Sequence, residues 1–125
     1  MVHDMKQKKI SKAYPALLQI CEYKLPINKA RAVYRMMNLM REHFEFALSE
    51  EKKSIVEYGG KVNQDGTISF DKQENFGMFC DRMTEINESE IEWSEPPIVL
   101  TESEIGNQSI SVSDIRSLEG FIIFE

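Results

Sequence analysis

The run LPINKARAVYRMMNLMREHFEFALSEEKKSIVEY, Leu25 to Tyr58, decides the fold. Ala30, Val33, Met37, Met40, Phe44, Ala47 with Leu48, Ile55 and Tyr58 recur every three or four positions. That spacing draws one stripe along an α-helix and approaches a coiled-coil seam. The other face carries Arg31, Arg35, Arg41, Glu42, Glu45, Glu50, Glu51, Lys52 and Lys53. Pro26 suits the first turn, where its missing N–H costs nothing, and Gly59-Gly60 stops the helix. At about 1.5 Å per residue such a helix extends roughly 50 Å. One small core does not cover that length, so a second helix must lie against it.

Working outward, Ser11 to Lys24 predicts a short helix with Ala13, Ala16, Leu17, Ile20 and Cys21 on one face. Pro15 belongs in a first turn, so this helix is expected to start near Tyr14. Lys24-Leu25-Pro26 is a tight joint, because a residue before proline disfavours the α region. Beyond the long helix, Val62 and Ile68 flank Gln64-Asp65-Gly66, a hairpin signal, with an ordered loop lacking a ladder as the alternative. Asp71 to Ser89 reads as a second helix with Phe76, Phe79, Cys80, Met83 and Ile86 as its stripe. Asp71 and Glu74 are placed for a capping box. Run antiparallel to the end of the long helix, it brings Phe76, Phe79 and Met83 to Phe44, Leu48 and Ile55.

Glu90-Ile91-Glu92-Trp93 alternates with period two and predicts a half-buried strand ended by Pro96-Pro97. Ile98-Val99-Leu100 is a strand or an apolar plug, and Thr101 to Ser109 a polar loop. Ile110 and Val112 alternate, and Ser113 is expected to cap a helical turn over 114–118. Four apolar residues, Phe121 to Phe124, are expected to dock as a strand or tail rather than trail in water.

The length of 125 residues fits a single domain over 1–125, with a polar, charged arm at 1–10 expected to be flexible. No apolar run is long enough for a membrane span, and the first residues lack a signal-peptide core. Cys21 and Cys80 lie on apolar helical patterns without partner spacing, so separately buried, reduced thiols and the cytoplasm are expected. The net charge of −6 is uneven. Residues 1–61 hold 12 Lys/Arg and 7 Asp/Glu (+5), whereas 62–125 hold 3 and 14 (−11). No basic residue lies between Arg82 and Arg116. The acidic half is either a solvated face or a surface that attracts a basic partner, with Glu85, Glu88, Glu90, Glu92 and Glu95 as the candidate partner-binding residues.

Catalytic chemistry finds no support in these residues. His3, His43, Cys21 and Cys80 lack zinc-site spacing, so no metal is expected. Neither cysteine has a basic or helix-start neighbourhood, no phosphate-binding glycine loop exists, and the glutamates read as a solvated face. No catalytic residue and no cofactor is expected. Nucleic-acid binding through Lys6, Lys8, Lys9 and Lys12, with Lys29, Arg31 and Arg35, is a weak reading. Interleaved aromatics are missing and the chain is acidic.

The order of Lys24-Leu25-Pro26, a long charged helix ending at Tyr58-Gly59, a turn with Asp65-Gly66, a second helix, Glu90-Ile91-Glu92 and Ser117-Leu118-Glu119-Gly120-Phe121-Ile122 resembles a family of small proteins of unknown function. These are encoded by phages and prophages of Gram-positive bacteria. The resemblance covers nearly the whole chain. It implies a small accessory role inside an infected host, and it carries no catalytic residues to transfer.

The expected fold is α+β, mainly α: an antiparallel long helical hairpin with a small β element and the C-terminal tail packed at one end. The expected function is a non-enzymatic interaction protein binding a host or phage protein, as an inhibitor of a host defence or nucleic-acid enzyme. The alternatives are a phage structural or assembly component acting through self-association as a homo-oligomer and, more weakly, nucleic-acid binding through the basic half. No membrane contact is expected.

Overall fold

The structure, a computed structural model, describes residues 3–125. It is mainly helical α+β, built on α2 (Ile27–Glu57), a helix of 31 residues. Two helices share the stripe of α2 between them. α1 (Gln7–Ile20) runs antiparallel along its first half, and α3 (Gln73–Glu88) runs antiparallel along its second. The α2–α3 register follows from Glu50 against Arg82 and from Phe44 and Leu48 beside Met83 and Asn87. No one helix fills the whole seam, so it is not a two-stranded coiled coil.

α1 departs from the sequence expectation. It starts at Gln7 rather than near Tyr14, and Pro15 sits inside it. An interior proline costs about 3 kcal/mol through its lost hydrogen bond and ring clash. Ile10, Leu17 and Ile20 are wholly enclosed, and each such burial is worth roughly 1.5–3 kcal/mol, so packing outweighs the proline. The start was illegible because no local side chain caps it. Instead the Gln7 amide donates to the Ser89 carbonyl at 2.8 Å. The flexible arm expected over 1–10 is likewise replaced from His3 onward by β1 (His3–Lys6) and the first turn of α1, while Met1 and Val2 lie outside the described residues.

Three two-stranded ladders complete the fold. β1 pairs antiparallel with β4 (Glu90–Trp93), Met5 opposite Ile91. β2 (Gly60–Val62) and β3 (Ile68–Phe70) form the expected antiparallel hairpin, turned at Gly66 with φ +88°. β5 (Ile98–Leu100) pairs parallel with β6 (Ile122–Phe124). The docked tail is thus a strand. Phe121 and Leu118 are fully buried beside it, in one core with Ile10, Leu17, Met36, Met40, Trp93 and Leu100. A separate apolar group at the far end of α2 joins Phe70 to Phe76 and Phe79, with Ile55 reaching toward Phe70 across Gly60.

Several local expectations shift. α3 has Lys72 as its N-cap with no side-chain bond, so Asp71 and Glu74 do not form a capping box. Thr101 to Ser109 is not merely a loop: Thr101 and Glu104 form a reciprocal capping box opening α4 (Glu102–Ile105). Ser111, not Ser113, caps α5 (Val112–Ser117), accepting from the Asp114 amide at 3.0 Å. Val112 is therefore helical. Phe76 is half exposed, and Cys21 and Cys80 are both exposed free thiols rather than buried ones. Their stripes turn past the packed face at those positions.

Candidate functional site

The five glutamates proposed from sequence do not assemble into one acidic patch. Glu88 is clamped by Lys6 at 2.5 Å and Lys8 at 2.7 Å, which pull its carboxyl down to about 2 through these hydrogen bonds. Glu95 meets Arg35 at 3.2 Å, and Glu85 meets Arg82 at 3.0 Å. Only Glu90 and Glu92 stand on β4 without an ion pair among the described residues, opposite Lys6 and Asp4. The charge asymmetry of the sequence is thus partly internal. Basic residues of the first half dock acidic residues of the second, with Lys6, Lys8 and Arg35 as the bridging cations. The Lys29 ammonium, counted in the basic patch, donates to the Val99 carbonyl.

Sequence reading missed a different surface, at the elbow between α1 and α2. α1 ends at Ile20, and α2 begins at Ile27 after a six-residue bend over 21–26 whose last residue, Pro26, is the N-cap of α2. That bend is tied to the loop after α4. The Tyr23 hydroxyl donates to the Ser109 carbonyl at 2.6 Å, and Gln108 Oε1 accepts from the Lys24 amide at 2.7 Å. Held this way, Tyr23 and Leu25 wall an open cavity of about 330 Å³ with Ile20, Val33 and Met37 behind it. Arg31, Tyr34 and Cys21 also line it, and Tyr34 is 63% exposed. Partial desolvation, then Glu22, raises the Cys21 thiol above its ordinary value. Desolvation also raises the Tyr23 phenol. Both groups therefore stay neutral near pH 7, and Arg31 is the charged group at the opening. The slot is mainly apolar, with Tyr34 and Arg31 at its edge. The local signal was present, in Tyr34 off the main stripe. Its meaning depended on a bend fastened by Gln108 and Ser109, more than 80 positions away.

Among the described residues no group of three His, Cys, Asp or Glu is arranged to hold a metal ion, and no helix is long and apolar enough to cross a membrane. No family model matches the chain, and neither a curated protein nor a solved structure is found to be similar to it.

Proposed function

We propose that the chain is a non-enzymatic interaction protein that binds a host or phage protein through the elbow between α1 and α2. The observation that carries this reading is the apolar cavity there, with Tyr34 and Arg31, residue types that dominate binding energy at interfaces. A phage or mobile-element origin, action in the host cytoplasm and inhibition of a host defence or nucleic-acid enzyme rest on the order of sequence motifs alone. The elbow replaces the acidic residues as the first place to look, because three of those five are engaged within the fold. A photo-crosslinking amino acid at position 34, expressed in infected cells, tests it. A host protein should be captured, and Arg31→Glu, at an exposed position of the cavity rim, should abolish capture while Glu90→Lys with Glu92→Lys should not. The opposite pattern would return the reading to the acidic strand.

One observation favours a second reading, self-association. β6 has one neighbouring strand, and Ile123, Val112 and Ile115 lie exposed along a groove of about 440 Å³ beside it. An open strand edge flanked by apolar residues invites another chain. Sedimentation over a concentration series tests this: an association that Ile123→Glu removes supports it, and a monomer throughout dismisses it.

A further inference from the structure

The basic arm expected from sequence is split by the fold. Lys6 and Lys8 turn to Glu88, whereas Lys9 and Lys12 turn to α5. There they meet Arg116 around a cavity of about 370 Å³, completed by Ser117, Glu119 and Gly120. Among the described residues no carboxylate comes within ion-pair distance of Lys9, Lys12 or Arg116, although Glu119 lines the same cavity. Three cations without an ion pair among the described residues, with one carboxylate beside them, therefore line one cavity in a chain whose net charge is −6. Lys9, itself exposed, lies over an aromatic ring of the core. Its ammonium lies 5.5 Å from the centroid of the fully buried Phe121 ring. It also lies only 3.0 Å from where a side chain on Gly120 would begin, so the glycine, at φ +88°, leaves it room.

We infer that this cavity between α1 and the end of α5 binds a small phosphomonoester or free phosphate. Two ammonium groups and one guanidinium fork supply the charge and the directed donors that a compact dianion requires, and Ser117 offers a hydroxyl. A polynucleotide fits less well. Lys6 and Lys8, the other lysines at the start of α1, are already paired with Glu88 and do not extend the cationic surface for a run of phosphates. The inference is independent of the elbow and of any partner there.

The test is titration of the isotope-labelled full chain, followed by NMR, with inorganic phosphate and separately with ribose 5-phosphate, against chloride at matched ionic strength. Saturable shifts should be confined to Lys9, Lys12 and residues 116–120. Lys12→Ala and Arg116→Ala, both at exposed positions, should each weaken binding at least about tenfold, whereas Lys8→Ala should change it less than about twofold. Tighter binding of the sugar phosphate assigns the site to an organic phosphomonoester, and equal binding assigns it to free phosphate. Chloride producing the same shifts would overturn the inference. So would a short polythymidine that binds while inorganic phosphate neither binds nor competes.

Discussion

Tyr14 of α1 and Phe44 of α2 lie with ring centroids 4.8 Å apart and planes tilted by 33°. Arg41 approaches the same tyrosine hydroxyl, its Nε donating at 3.3 Å. This pair joins the two helices just where α2 leaves the main core for the stretch shared with α3. Phe44 is half-buried, so Phe44→Ala should cost about 2 kcal/mol rather than the roughly 3–5 of an enclosed ring. Urea melts of the two proteins measure it. A loss under about 0.5 kcal/mol would mean that the ring pair contributes nothing beyond surface contact.

Acid should loosen the junction of β1 and α3 before the helices melt. Lys6 and Lys8 hold the Glu88 carboxyl at about 2, below its ordinary 4.5. A depressed carboxylate contributes stability that is present above the ordinary value and lost as pH falls through the folded one. Melting temperature should therefore fall between about pH 5 and pH 2, and part of that fall should vanish in Glu88→Gln. Carbon-detected titration of the Glu88 side chain gives the midpoint directly. A midpoint near the ordinary value would show that the clamp is absent in solution.

Phe121 should be the most costly single truncation. Its ring is fully buried and meets Trp93 edge-on, centroids 5.5 Å apart at 89°. Phe121→Ala should cost roughly 3–5 kcal/mol, a large share of the stability of a domain this size. Removing residues 120–125 should leave a chain without dispersed amide resonances, since β6 and the last core layer go together. A truncated chain that melts like the intact one would prove the tail idle.

Both thiols should react with a maleimide in the folded protein, and non-reducing mass analysis should find no Cys21–Cys80 bridge. Cys21 sits beside Val33 and Tyr34, whereas Cys80 follows Phe79, in the group around Ile55. About 30 Å of α2 separates those positions. Cys21 should also react more slowly at neutral pH than a free thiol, because partial burial disfavours its thiolate.

How much of this was legible depends on how local each cause is. The bounds of α2, the turn at Asp65-Gly66, the β4 alternation and the docking of Phe121 to Phe124 followed from spacing and turn residues within a few positions, whereas the β2–β3 ladder around that turn had a bare loop as its alternative. The start of α1 did not, since its cap is the carbonyl of Ser89. The Thr101–Glu104 capping box was readable but lay in a stretch whose polarity suggested only a loop. The candidate site fared worse. Charge counts showed that the halves differ in sign, but not that Glu88, Glu95 and Lys6, Lys8 and Arg35 would meet each other. The elbow cavity needs Tyr23 and Gln108 in contact across the chain, and no pattern in one stretch encodes that.

The parallel pairing of β5 with β6, and the seat of Phe121 between them and α1, also set a timetable. Ile10 and Leu17 are made early, but the residues that close over them come more than a hundred positions later. At roughly 5–20 residues per second, α1 and α2 wait several seconds on the ribosome without the last layer of their shared core. During that interval the nascent hairpin of α1 and α2 is the species that a chaperone or a premature partner would meet.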